Sequence, residues 1–257
     1  FHGGIQVGYS NGWAPMCIGS HYAVRTRALK EVGGLGPELA EDHSTTMILN
    51  SGGWRGAHAP NAIAHGAGPS CLTDLIIQEF QWSRSLTTLL LSHTPRYLKG
   101  LRPRLRFQFL FCQTWYPFST GFVALMYLLP IFALSFDIRF VNVTFADFML
   151  HAIPATLVIT SFAFVMRNRG FWRPFDASVL SWEHALFASA QWPWTFIGCS
   201  MAVVDKLRGG FVDFRVTPKG DTGPPPLPVR VLLPYVALAL GALIPVLTAP
   251  DLKDAAG

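Results

Sequence analysis

The most reactive arrangement in this sequence is an adjacent acidic pair, Glu41-Asp42, placed after a Gly-rich run of Gly33, Gly34 and Gly36. Residues 42–50 predict a helix stopped by Gly52-Gly53. Carboxylates in a first helical turn commonly serve as caps and partners of the helix dipole. The same position holds an Asp ionised, which a general base requires. Asp42 is therefore the candidate base, with Glu41 pointing elsewhere and helping to hold the local geometry. The glycines leave a flexible approach for a bulky substrate. No Ser/His/Asp or Cys/His signature accompanies them, so a hydrolase reading has no positive support.

A second cluster is Gln78-Glu79-Phe80-Gln81-Trp82-Ser83-Arg84. It predicts a helix with Thr73 or Asp74 as N-cap, with no Gly or Pro until Pro95. On that helix Gln78 and Trp82 lie one turn apart on one face, with Gln81 beside them. The face offers an amide and an indole to a ligand. Its plainer reading is an amphipathic helix that uses Trp82 as an interfacial anchor.

The elements expected to position these groups divide into two kinds. Residues 1–75 read as part of an α/β domain: a strand over 16–24, a short helix over 27–32 stopped by Gly33-Gly34, the 42–50 helix, and a strand pair over 54–64 broken at Pro60. After residue 106 the chain reads as an α-helical transmembrane region. The expected domains are 1–106, including an interfacial helix over 73–94, and a membrane region over 107–257.

Composition supports that division. Of 257 residues, 51% are hydrophobic and only 14% charged, and the mean hydropathy is +0.33, unlike an ordinary soluble protein. Residues 84–106 carry Arg84, Arg96, Lys99, Arg102, Arg104 and Arg106 and no acid, and 107–136 carry no charge at all. A basic collar before a long apolar run marks the cytoplasmic side of a membrane crossing. The net charge of +5 lacks the basic and aromatic interleaving of a nucleic-acid module, so no nucleic-acid partner is expected. Cys17, Cys71, Cys112 and Cys199 have no metal-ligand spacing, and the two in apolar runs, Cys112 and Cys199, are expected as buried free thiols. The chain opens mid-motif at Phe1-His2-Gly3-Gly4 with no initiator Met, and is expected to be the later part of a longer protein.

Three stretches, 109–135, 148–166 and 231–249, are each near the roughly 20 residues a bilayer core requires. A fourth, 185–204, is as long and uncharged. Counting it as a span would place Lys206, Arg208, Arg215, Lys219 and Arg230 outside, against the positive-inside rule. The stretch 183–204 is therefore expected along the cytoplasmic interface. It carries a small and polar stripe (His184, Gln191, Thr195, Gly198, Asp205), Trp182, Trp192 and Trp194 at headgroup depth, and a kink at Pro193.

Five segments in order resemble the processive family 2 glycosyltransferases, the family of bacterial cellulose synthases. Met16-Cys17-Ile18-Gly19-Ser20, followed by Val24-Arg25-Thr26-Arg27-Ala28-Leu29 and Gly33-Gly34, resembles the acceptor-side Cys-Gly-Ser segment. Glu41-Asp42 with Thr46 and Gly53-Trp54-Arg55 resembles the Thr-Glu-Asp motif, with Ala40 in place of Thr. Residues 78–82 resemble Gln-x-x-Arg-Trp, with Gln81 in place of Arg. Trp182-Glu183 is similar to the start of the interfacial helix. Phe214-Arg215-Val216-Thr217-Pro218-Lys219 fits the Phe-x-Val-Thr-x-Lys gating loop, here within 209–225.

The resemblance implies the C-terminal part of a GT-A domain followed by membrane helices. It implies that Asp42 deprotonates an acceptor hydroxyl, that Trp82 stacks under the terminal sugar with Gln78 beside it, and that Cys17, Gly19 and Ser20 line the acceptor side. Gln81 stands where the family's Arg contacts the nucleotide diphosphate, and Arg84 lies one turn on. Phe214, Val216, Thr217 and Lys219 would close over the nucleotide. The implied partners are a nucleotide-sugar donor (UDP-glucose by resemblance), a growing β-linked polysaccharide, the bilayer and accessory export subunits. The implied cofactor is Mg2+ or Mn2+, held by an Asp-x-Asp motif upstream of residue 1, so that this polypeptide alone is expected to be inactive. The implied location is the inner membrane, multi-pass, with the catalytic face cytoplasmic. Two alternatives stand beside this reading: a non-processive enzyme adding one sugar to a lipid, and a non-catalytic membrane subunit.

Overall fold

Glycine decides where the helices on either side of the acidic pair's approach stop. The computed structural model describes residues 2–37, 40–66, 68, 69, 71–209 and 227–248. Helix α1 (Thr26–Val32) ends with Gly33 at φ 90°, and the Gly34 N–H donates to Leu29 O at 2.9 Å. Helix α2 (Glu41–Ser51) ends with Gly53 at φ 87° and the Trp54 N–H on Leu49 O at 2.9 Å. Each closure satisfies a carbonyl left over at the helix end, through a left-handed residue that only Gly adopts freely. Both helices lie where the sequence predicts them.

The expected strands do not form: no residue among those described is in a strand. A strand exists only by pairing with another, and the backbone over 14–17 pairs with side chains instead. The Gln108 amide brackets Ala14, accepting from its N–H at 2.9 Å and donating to its carbonyl at 2.8 Å. The Gln6 amide brackets Met16 in the same way, both bonds 2.9 Å. The Cys17 N–H donates to Thr46 Oγ1 at 2.7 Å. A carboxamide offers the donor and acceptor of a peptide group, so two buried glutamines do the work of a neighbouring strand.

Helix α3 (Leu72–Ser92) carries the Gln78–Trp82 face. Its N-cap is Cys71, with no side-chain cap bond, rather than the expected Thr73 or Asp74. Asp74 lies inside the first turn, where a carboxylate interacts favourably with the helix dipole. Helix α4 (Pro103–Phe136) starts on a proline, whose missing N–H costs nothing at that position. Helix α5 (Phe145–Asn168) is capped by Thr144 Oγ1, which accepts from the Asp147 N–H at 3.2 Å.

The stretch expected as one interfacial helix over 183–204 is two, α6 (Trp182–Ala190) and α7 (Trp192–Arg208). Pro193 explains the break, since it has no N–H to continue the ladder and its ring crowds the carbonyl four residues back. Helix α8 (Val229–Thr248) follows. Helices α4, α5 and α8 are long and apolar enough to cross a membrane, and they cover the three stretches expected from hydropathy. None of the most apolar window of α5 is buried by the rest of the chain, as suits a helix whose solvent is lipid.

The chain divides into two compact units, Phe1–Thr120 with Phe187–Pro225, and Gly121–Leu186 with Pro226–Gly257. In the first, Ala14, Met47, Leu89, Leu101 and Phe109 form the apolar core. Helix α7 packs along α3 in the same unit. Of the small and polar stripe read from the sequence, Thr195, Gly198 and Asp205 lie on the face of α7 that packs, while His184 is exposed on α6. Thr195 Oγ1 donates to Thr120 Oγ1 at 3.0 Å, Gly198 meets the α3 backbone, and Asp205 pairs with Arg84. In the second unit Gly241 of α8 lies against the Ile131 side chain of α4.

Candidate functional site

Asp42 sits in the first turn of α2, half-buried, with Oδ1 accepting from the His43 N–H at 2.7 Å. A Cβ placed on Gly19 would lie 3.6 Å from its Oδ2, in ordinary van der Waals contact, so the 17–20 segment lies beside the carboxylate. Burial pushes the Asp42 carboxyl above the usual range, while the His43 and Gly19 amides pull the other way and the Glu41 charge adds to the rise. The backbone amides favour the anion, as expected at a helix N-terminus, and desolvation outweighs them in the direction of the shift. A raised carboxylate makes a stronger base once it is deprotonated.

Glu41 has a different task. Its Oε1 accepts from Tyr22 Oη at 2.5 Å and from Thr45 Oγ1 at 2.9 Å. Burial, then the bond to Glu41, pushes the Tyr22 phenol upward. The carboxylate thus ties the loop before α1 to α2 and is spent on that link. Tyr22→Phe should lower stability by about 1–2 kcal/mol and leave the catalytic rate within an order of magnitude of wild type. Thermal denaturation beside initial-rate measurement checks this, and a rate loss as deep as that of an Asp42 variant would show that Glu41 acts in the chemistry.

The motif residues meet through the backbone. Cys17 is half-buried, its thiol raised by burial, and it is tied through its N–H to Thr46 Oγ1, which itself donates to Asp42 O at 2.7 Å. Ser20 is exposed, and its Oγ lies 2.6 Å from His21 Nδ1. The Ala40 N–H donates to Ser85 Oγ at 2.7 Å, which fastens the approach to Asp42 onto α3 one turn beyond Gln81 and Trp82. Trp82 is 48% exposed, and Gln78 and Gln81 are half-buried.

Arg84 is placed otherwise. Its Nη2 and Nε reach Asp205 Oδ2 at 2.6 and 2.7 Å, with both side chains largely buried. The guanidinium holds α7 to α3, and that ion pair competes with any contact to a phosphate. Phe214, Val216, Thr217 and Lys219 of the gating loop lie outside the described residues.

Among the described residues no group of three or more His, Cys, Asp or Glu side chains could hold a metal ion. With Glu41 bonded to Tyr22 and Thr45, the acidic pair does not fit a divalent cation, and no step is routed through one. A cavity of about 210 Å³ opens on the α1 side of α2, lined by Cys17, Arg25, Thr46, Asn50, Trp54 and Arg55 among others. Asp42 and Trp82 do not line it. Sequence reasoning named Thr46 only within a motif and missed Tyr22, Ser85 and His43 as supports. Ser85 and His43 are polar residues at buried helical positions, and Tyr22 lies in the loop before α1.

The comparisons with known proteins agree with this assembly. Residues 2–166 match the family model described as glycosyl transferase family group 2, well over half of the chain. A cellulose synthase catalytic subunit (UDP-forming) of Komagataeibacter sucrofermentans is 28% identical over 120 residues, covering 46% of this chain and 16% of that protein. One from Xanthomonas axonopodis pv. citri is 29% identical over 103 residues, covering 40% and 14%. The cellulose synthase 1 catalytic subunit of Komagataeibacter xylinus is 28% identical over 120 residues, covering 46% and 16%. The matched part spans about a sixth of these relatives' length. With the acidic pair, the Gln78–Trp82 helix and the apolar helices in family order, the chain belongs to glycosyl transferase family group 2.

Proposed function

We propose that this chain is the acceptor-side and membrane part of a processive enzyme. It would transfer glucose from UDP-glucose to a growing β-linked polysaccharide with inversion and help to export the product. The observation that carries this reading is the position of Asp42 beside Gly19, fastened through Ala40 and Ser85 to the helix that exposes Trp82.

In the proposed reaction the polymer's terminal sugar stacks on Trp82, with Gln78 beside it. Asp42 takes the proton of the acceptor hydroxyl as its oxygen attacks the anomeric carbon in line. The bond from that carbon to the diphosphate oxygen breaks, the pair of electrons leaves with UDP, and the configuration inverts. Gln81 lies on the same helix and can offer the leaving group a neutral amide donor, weaker than the bidentate contact an arginine makes. Lys219 and Thr217, in the segment that fits the family's gating motif, would carry the remaining electrostatic load.

Mg2+ or Mn2+ would neutralise the diphosphate, held by residues outside this chain in the remainder of a GT-A domain. Helices α4, α5 and α8 would sit in the inner membrane with the catalytic face cytoplasmic, and accessory export subunits would take the polymer onward. Three such helices, with α6 short and α7 carrying Asp205, Lys206 and Arg208 at its end, support that topology.

The test is transfer of labelled glucose from UDP-glucose by membranes carrying the full-length protein. The expected product is long, insoluble in organic solvent and retained by the enzyme between additions. A single sugar recovered in the lipid extract would replace this reading with the non-processive one. No transfer from any nucleotide sugar would favour a non-catalytic subunit.

A further inference from the structure

We propose that His43 and Gln113 form a positioning link through which the first apolar helix, α4, holds the Asp42 carboxylate in its working orientation. The proposal rests on Asp42 being the base.

Three hydrogen bonds run in series. Thr94 Oγ1 donates to Gln113 Oε1 at 2.6 Å, Gln113 Nε2 lies 3.1 Å from His43 Nε2, and the His43 N–H donates to Asp42 Oδ1 at 2.7 Å. Gln113 and Thr94 are fully buried and His43 nearly so. The His43 ring also meets Phe109 of α4 edge-on, centroids 5.4 Å apart, and Gln113 touches Met47 Sδ at 3.6 Å.

The direction of each bond is fixed by the one before it. With Gln113 Oε1 accepting from Thr94, its amide nitrogen is left to donate, so His43 Nε2 must accept and the ring proton sits on Nδ1. That requires a neutral imidazole. Burial lowers the His43 pKa to about 4, which keeps the ring neutral at physiological pH. An apolar side chain at either position would fill the same space, but it would not set the angle of the ring. A ring held by α4 fixes the backbone of residue 43, and that backbone carries the N–H on which Asp42 rests. A base moved by about an ångström is enough to cost ~100-fold in rate.

The experiment uses membranes carrying the full-length protein and measures kcat, KM for the nucleotide sugar and thermal stability. The variants are His43→Leu, Gln113→Leu, the double variant and His43→Gln. Each single leucine variant is expected to lower kcat by about 10–100-fold with KM unchanged. The double variant should be no worse than either single one, because both break one chain. His43→Gln should recover most of the rate, since its amide oxygen can accept from Gln113. Losses that simply add, a rate that stays intact while only stability falls, or no rescue by glutamine would each overturn the proposal. Should His43→Leu fail to fold, Gln113→Leu and His43→Gln decide the question alone. Wild-type membranes that transfer no sugar would overturn the proposed function itself, and this link with it. Active wild type beside unaffected variants would overturn the link only.

Discussion

Asp42→Asn in the full-length protein should abolish polymer synthesis while leaving nucleotide-sugar binding nearly intact. Loss of a general base is worth roughly 10²–10⁴-fold in rate, and the asparagine amide keeps the size and the hydrogen-bonding reach that hold the 17–20 segment in place. The pH dependence adds a signature. Catalysis needs the deprotonated carboxylate, and burial raises the Asp42 pKa above that of an ordinary aspartate. Activity should therefore be present above that raised value and fall as pH drops through it, at a higher pH than an exposed Asp would give. Initial rates against pH, with donor saturating, measure this. The neighbouring pair supplies the contrast. Glu41→Gln weakens the bonds from Tyr22 and Thr45 and should cost stability before it costs rate. A dead Glu41→Gln beside a near-normal Asp42→Asn would reverse the two roles.

The second large effect is expected at Gly198, where α7 comes closest to α3. A Cβ there would lie 2.6 Å from Phe80 O, 2.2 Å from Ser83 Oγ and 3.3 Å from Arg84 N. The serine hydroxyl can turn away, but the Phe80 carbonyl and the Arg84 amide belong to the α3 backbone and cannot. Gly198→Ala must push the helices apart, at a cost of about 1–3 kcal/mol, and Gly198→Val more. The same separation would loosen the Arg84–Asp205 pair, whose two contacts are 2.6 and 2.7 Å. The thermal midpoint of the detergent-solubilised protein should fall by several degrees for Ala, roughly 2–4 °C per kcal/mol in a chain of this size. Gly121→Ala is the control, since a Cβ there meets nothing within 4 Å. Equal midpoints for Gly198→Ala and Gly121→Ala would rule out the close approach.

These two sites also show how the sequence and the tertiary structure divide the work. Local chemistry was legible from residue order alone. Gly33 and Gly53 stop α1 and α2 because each helix end needs a left-handed residue, and that need is written in the glycine itself. The membrane-length helices α4, α5 and α8 follow from uninterrupted apolar length. Placing Asp42 in a first helical turn and Gln78 with Trp82 on one face needed only helical spacing. What residue order could not decide was every choice between partners distant in the chain. The 14–17 backbone bonds to Gln108, Gln6 and Thr46 rather than to a strand, because a carboxamide and a peptide present the same groups and only proximity selects between them. Arg84 turns to Asp205, 121 residues away. Thr195 and Gly198 on α7 also serve helix packing, because small residues admit a neighbouring backbone as readily as they admit water. The sign of the Asp42 shift was also out of reach. A helix N-terminus favours the anion and burial disfavours it, and the balance depends on how much chain folds over the carboxylate, which only the tertiary structure determines.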